Sequence, residues 1–268
     1  MCHGFTAILL SSFTKLNNHR FKDLFNQLVN NKEHRRDGNL VYVPTAKYYN
    51  NKISTKSYGE QRRRARYEAR DKCRLLNNCF ECKGTYILEL DNPALNRQQI
   101  VDIISKASVL YVDGGNTFYL QKYIIQCQFW DIVTPYLQSN NCIYIGASAG
   151  GIVLGRSIET AYWKGWDDPS CAGEDFMWIR DGTLRGANLI PDTSFFMHYD
   201  CNKHDDLLSK HRPTLDHNVE LISDDIALVY TALPVLTTTT TTTAISVDDG
   251  HDQSSGQLDK IIFSANFL

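Results

Sequence analysis

The stretch Cys142–Gly155, C-I-Y-I-G-A-S-A-G-G-I-V-L-G, constrains the fold of this chain more than any other. An apolar, β-branched run (Ile143, Tyr144, Ile145) stops at Gly146, passes through Ala147-Ser148-Ala149-Gly150 and continues into Ile152, Val153 and Leu154. That order reads as strand, sharp turn, helix, the form of a nucleophile elbow. In a G-x-S-x-G turn the backbone is strained and closely approached, so a Cβ at Gly146 or Gly150 would collide with neighbouring backbone. Ser148 is then expected at the C-terminal end of a parallel strand and at the N-terminus of a helix whose amides favour developing negative charge. The same five residues also fit a glycine-bounded loop with a solvent-facing serine, so flanking structure and partner residues decide between the two.

The flanking pattern is that of an α/β chain. Strands are expected at Phe5–Leu10, Leu40–Pro44, Gly84–Leu90 and Ser108–Val112, and helices at Phe21–Val29, Gln98–Ala107, Phe118–Ile125 and Phe129–Leu137. Their alternation implies a mainly parallel sheet with helices on both faces, a three-layer arrangement with ligands at the carboxyl ends of the strands. The fourth strand ends in Asp113-Gly114-Gly115-Asn116-Thr117, where paired glycines let backbone amides approach a ligand and Asn116 or Thr117 can cap the next helix. That loop reads either as an oxyanion partner for the elbow or as a plain capped turn. His198 closes the apolar run Phe195-Phe196-Met197, where a strand meets its loop. Glu220–Tyr230 reads as a hairpin with Asp224 and Asp225 at its turn, and Lys260–Phe263 as a final strand. The tract at about 236–257, rich in Thr, reads as a flexible insertion in a single domain spanning 1–268.

Composition narrows the function classes. The 28 basic and 30 acidic residues leave a net charge of −2, which argues against a broad nucleic-acid or anionic-membrane footprint. The run Arg62-Arg63-Arg64-Ala65-Arg66 admits a phosphate-binding reading, yet Glu60, Glu68 and Asp71 sit within a helical turn and make it a solvated helix face. No run has the apolar length needed to span a bilayer, and Met1–Phe5 lacks the pattern of a secretion signal. Eight cysteines without a disulfide framework suggest reduced thiols and a cytoplasmic setting. Cys79-x-x-Cys82, with Cys73 upstream, has metal-like spacing but no fourth ligand at a zinc-finger distance, so no metal is expected.

Val112–Phe118, Tyr144–Gly150 and the Pro191–Asp200 segment around His198, in that order, resemble the peptidase E family of serine peptidases. That family contains aspartyl dipeptidases, with cyanophycin-degrading enzymes as relatives, and the likeness runs from about Val109 to Tyr230. The resemblance implies a class I glutamine amidotransferase-like fold and a cofactor-free serine dipeptidase that cleaves after an N-terminal residue, with aspartate the expected one. It implies Ser148 as nucleophile, His198 as general base, and the backbone amides at Gly115 and Ala149 as oxyanion donors, with Gly114 and Asn116 placed to touch substrate. The family's acid lies downstream of the serine; Asp167 matches it, with Asp168 and Glu159 as alternatives.

Two residues depart from the family pattern: Asp113 stands at the first glycine of a Gly-Gly-Gly-Asn motif, and Met197 where a proline precedes the histidine. An Asp113 carboxylate pointing into the site would oppose an acidic substrate side chain, and these departures support an alternative: a weak or inactive relative that binds a small acidic metabolite or a protein partner. Recognition of an acidic group calls for a basic residue, and by position Lys210 and Arg212 are the candidates. The expected partners are a small peptide substrate and, should the chain self-associate, a second copy in a homodimer.

Overall fold

The computed structural model describes residues 5–12, 38–49, 58–139, 142–232 and 258–264. The helix expected at Phe21–Val29 and the Thr-rich tract lie outside them. Strands β1 (Phe5–Leu10), β2 (Asn39–Val43), β3 (Gly84–Ile87), β4 (Ala107–Val112) and β5 (Ile143–Ala147) form the parallel part of a seven-stranded sheet. Its order is β3-β2-β4-β5-β1, completed by two strands, β8 (Ile226–Ala232) and β9 (Leu258–Ser264), that pair antiparallel along the β1 edge. The short apolar runs are continuous because both faces are covered, as parallel sheets require.

Each strand divides its side chains between the two faces. Ala7 and Leu9 of β1, Leu110 and Val112 of β4, and Tyr144 of β5 enter one core. There they meet α2 (Arg97–Ile104), α3 (Thr117–Gln126) and α4 (Phe129–Gln138) through Ile100, Phe118, Ile124, Ile132 and Leu137. Ile8, Leu10, Tyr42, Tyr111 and Ile145 face the other core, where α1 (Tyr58–Phe80) lays down Ala69, Cys73, Leu76 and Phe80 at the three-and-four spacing of one helical face. Three arginines of the run in α1 turn to carboxylates of this chain. Arg64 bonds Glu68 at 2.8 Å, while Arg66 reaches Glu89 at 2.5 Å and Arg62 reaches Asp91 beyond β3.

The expected hairpin at Glu220–Tyr230 does not form. Asn218–Ile222 (β7) pairs in parallel with Thr193–Met197 (β6) in a separate two-stranded sheet, whereas β8 pairs with β1 in the main sheet. The turn at Ser223-Asp224-Asp225 therefore carries the chain from one sheet to the other instead of reversing it within one. Between β6 and β7 runs α7 (Cys201–His211), whose Leu208 packs with Phe196, Val219 and Trp163 of the short helix α6 (Thr160–Trp163) in a small third core. No described helix is long and apolar enough to cross a membrane.

Candidate active site

Ser148 stands between the end of β5 and a short helical turn, α5 (Ala149–Ile152), with φ 48° and ψ −110°. A serine holds that sparsely populated conformation only when its surroundings over-determine it. Here its amide donates to Leu10 O at 2.8 Å, and its carbonyl accepts from Gly151 and Ile152 at 2.8 and 3.0 Å. Tyr144 Oη donates to Gly150 O at 2.5 Å from beneath. A Cβ on Gly150 would lie 2.0 Å from Val112 O, so the turn admits no side chain there.

Ser148 Oγ lies 2.9 Å from His198 Nε2, and His198 Nδ1 lies 2.6 Å from Asp224 Oδ1. A carboxylate on Nδ1 keeps the neutral ring's proton there and leaves Nε2 free to accept from the serine. His198 follows β6 directly and also has a positive φ, 54°. Its amide donates to Ser11 Oγ at 2.8 Å, and that hydroxyl donates to Ile222 O at 2.7 Å. Buried Ser11, just past β1, thus ties the histidine to the end of β7, two residues before Asp224. Met197, the departure beside the histidine, is buried, and its carbonyl accepts from Lys164 Nζ.

The sequence candidates for the acid occupy other posts. Asp167 Oδ2 accepts from the Thr117 amide, the first of α3, at 3.0 Å. Asp168 accepts from Tyr49 Oη at 3.0 Å and from Ser170 N at 2.9 Å, capping a 3₁₀ turn. Glu159 takes both arms of Arg180 at 2.9 Å. None of the three meets His198 Nδ1, because the strand switch after β7 brings Asp224 to that nitrogen first. Asp224 has a recognisable sequence signal, a carboxylate after an apolar run downstream of the histidine, which the hairpin reading assigned to a turn.

Asp113 does not point into the site. It is buried beneath the glycine loop, where its carboxylate accepts from Lys72 Nζ at 2.5 Å, Tyr42 Oη at 2.5 Å and the Gly114 amide at 2.8 Å, with Lys47 Nζ at 3.4 Å. Burial alone would raise its pKa, but Lys72 and Lys47 outweigh that and hold it below the ordinary carboxylate range. The loop above it touches Ser148: a Cβ at Gly114 would lie 2.9 Å from Ser148 Cβ. Gly115, at φ +144°, leaves room for Ala46 O, which a Cβ would approach to 2.2 Å. The Asn116 side chain caps α3 through Tyr119 N at 2.8 Å and donates to Asp168 O at 3.1 Å, so both of its ends are engaged within the protein.

Lys210 and Arg212 are exposed at the far end of α7. With 11 residues that helix is about 16 Å long, which separates them from its start beside His198. A cation closer to His198 is Lys164, which donates to the Met197 carbonyl and was missed in the sequence because a single lysine in a loop has no signature. Its ammonium lies 4.2 Å from the Trp166 ring centre and 4.6 Å from that of Phe196. Burial lowers its pKa to about 8, against the pull of Asp167 and Asp224. Trp166 in turn lies 5.9 Å from the His198 ring. Cys73 is buried and Cys79 and Cys82 half-buried, none of them in a disulfide; no group of His, Cys, Asp or Glu among the described residues could hold a metal ion.

The sequence profile of peptidase family S51 matches residues 7–176, more than half of the chain. An uncharacterised peptidase of Pasteurella multocida (strain Pm70) is 32% identical over 82 residues, covering 31% of this chain and 39% of its own length. A peptidase E of Haemophilus influenzae (strain PittGG) is 42% identical over 59 residues, 22% of this chain and 25% of its own. The chain thus spans well under half the length of these curated relatives. Among solved structures, a candidate peptidase E protein from Listeria monocytogenes EGD-e aligns with TM-score 0.57 and 19% identity over 84% of this chain and 94% of its own. At that identity the match speaks for the fold, a mainly parallel sheet of the class I glutamine amidotransferase-like kind.

Proposed function

From the premise that this chain belongs to peptidase family S51, we propose that it is a serine peptidase acting on small peptides, with Ser148, His198 and Asp224 as its catalytic triad. The observation that carries this reading is the unbroken relay from Ser148 Oγ through His198, at 2.9 and 2.6 Å, on a strained elbow. His198 Nε2 accepts the Ser148 proton as Oγ attacks the scissile carbonyl, and Asp224 stabilises the imidazolium that results. The proton then passes to the leaving amine as the C–N bond breaks. Water, activated by the same histidine, attacks the acyl-enzyme and releases the acid. The amide of Ala149, at the first position of a helical turn and without an intrahelical acceptor, and that of Gly115 serve as donors to the oxyanion, each worth ~3 kcal/mol in comparable sites.

The substrate we infer is a dipeptide with an N-terminal aspartate. Asp113 is neutralised beneath the loop by two lysines, so it does not repel an acidic side chain, and the Lys164 ammonium, bonded to the carbonyl of Met197 just before His198, supplies attraction. The test is hydrolysis of Asp-Leu, Glu-Leu and Ala-Leu by wild type and Ser148→Ala. Selective cleavage of Asp-Leu by wild type alone is expected; a folded wild type that cleaves none of the three overturns the reading.

A further inference from the structure

Along the glycine loop from Asp113 to Thr117, every backbone amide but one is engaged inside the protein. Asp113 N donates to Val43 O at 3.0 Å, Gly114 N to the Asp113 carboxylate at 2.8 Å, Asn116 N to Ala46 O at 2.9 Å and Thr117 N to Asp167 at 3.0 Å. The Gly115 amide has no acceptor among the described residues. It follows directly on Gly114, where an added Cβ would meet Ser148 Cβ at 2.9 Å. The direction of that N–H is set by the torsions at Gly114 and Gly115, two residues with no side chain to restrict them.

The restriction comes from Asp113. Its carboxylate takes the Gly114 N–H and is itself fixed by Lys72 Nζ of α1 at 2.5 Å, Tyr42 Oη of β2 at 2.5 Å and Lys47 Nζ at 3.4 Å. Lys47 belongs to the 3₁₀ turn Thr45–Tyr48, next to Ala46, whose carbonyl takes the Asn116 amide and leaves no room for a Cβ on Gly115. Both ends of the Gly114-Gly115 pair are thus pinned, one by the Asp113 carboxylate and the other by the turn that carries Lys47. The Asp113 and Lys72 side chains are only 2% and 21% exposed. A buried ion pair of this kind gains little beyond its own desolvation cost, so apolar residues of similar volume would serve stability as well. They could not accept the Gly114 N–H.

We propose that Asp113, held by Lys72 and Lys47, is a positioning residue that directs the Gly115 amide toward the oxyanion formed when Ser148 attacks. The inference rests on the serine-peptidase reading above. By taking the Gly114 N–H, the carboxylate orients the start of the loop and leaves the next N–H as the free donor. The ammonium groups matter because they keep the carboxylate in place: without Lys72, Asp113 turns toward Lys47 and loosens its hold on the Gly114 amide.

The experiment compares wild type with Asp113→Asn, Asp113→Leu and Lys72→Met, each verified by thermal melting. It measures kcat and KM for Asp-Leu, the rate at which p-nitrophenyl acetate acylates Ser148 with Ser148→Ala as the blank, and calorimetric binding of Asp-Leu to the Ser148→Ala form of each variant. Loss of one oxyanion donor costs about 10²- to 10³-fold in comparable sites, so Asp113→Leu is expected to lose about 10²-fold in kcat and in acylation, and Lys72→Met about tenfold. Asp113→Asn keeps an oxygen for the Gly114 N–H and should retain more activity than Asp113→Leu; being isosteric, it carries the test with Lys72→Met if Asp113→Leu does not fold. Binding of Asp-Leu in the Ser148→Ala forms should stay within about threefold, because the ground state carries no oxyanion. Folded variants whose kcat stays within about threefold of wild type, or whose binding falls as far as kcat, overturn the proposal. Unchanged kcat alongside serine-dependent hydrolysis of Asp-Leu sinks this inference and leaves the proposed activity standing. Acylation of Ser148 that falls across the variants, in a protein that cleaves no dipeptide, does the reverse, and a wild type that does neither overturns both.

Discussion

Substituting Asp224 by asparagine preserves shape and removes charge from the atom that faces His198 Nδ1 at 2.6 Å. Two losses follow. The carboxylate no longer stabilises the imidazolium formed as Ser148 attacks; at about 4 Å between charge centres and an effective dielectric of about 20, that attraction is ~4 kcal/mol. About a third of each side chain is open to water, at 27% and 34% exposure, which trims the figure toward ~3 kcal/mol. The second loss is the tautomer: an amide NH₂ donates to Nδ1, driving the ring proton to Nε2, where it meets the serine O–H donor to donor. Together they predict a fall in kcat of about 10³ to 10⁴, the range of comparable Asp→Asn changes in Ser-His-Asp sites. The assay is amine release from Asp-Leu at neutral pH, with thermal melting to verify the fold. If Asp224→Asn stays within about tenfold of wild type, or Asp167→Asn loses kcat as severely, the assignment of the triad acid is refuted.

Ser11→Ala removes a hydroxyl that donates to Ile222 O and accepts from His198 N, stranding two partly buried groups. A stability loss of ~1–3 kcal/mol is expected in urea unfolding, with a fall in kcat, because the positive-φ backbone of His198 loses its anchor. An unchanged kcat would show that the anchor does not position the base. The depressed pKa of Asp113 gives a pH prediction with a definite sign. Its folded pKa lies below the unfolded value of about 3.9, so its contribution is complete above that pH and disappears as pH falls through the folded pKa. The stability gap between wild type and Asp113→Asn should therefore be wide at neutral pH and narrow on acidification; a gap independent of pH would contradict the Lys72 and Lys47 pairing.

Strand after strand was readable because a parallel sheet buried on both faces needs uninterrupted apolar runs, and β1, β2, β4 and β5 have them. The turn at Ser148 was readable only with its flanks, since Gly146 and Gly150 also fit a glycine-bounded loop and the apolar runs on either side are what mark a strand entering a helix. The strand expected over Gly84–Leu90 stops at Ile87, where an edge position lets the chain peel away toward Thr45 and Leu90 N finds the Thr45 hydroxyl at 2.9 Å. Periodicity does not report which strands share a sheet. Val219 to Ile222 and Ile226 to Tyr230 have the same apolar pattern in a hairpin as in two sheets joined by a turn.

The sequence by itself determined the alternation of strands and helices, the strand-to-helix turn at Ser148 and the strand-end place of His198, because each follows from local sterics and periodicity. The tertiary structure decided what surrounds them. Asp224 reaches His198 because β7 and β8 diverge into different sheets; Asp113 is charge-paired because Lys72, from the helix packed over Tyr42 and Tyr111, meets it. Ser11 holds the histidine because β1 ends beside both β5 and β7. Each of these contacts joins residues far apart in the chain, and hydrogen bonds and ion pairs of that separation leave no trace in local spacing.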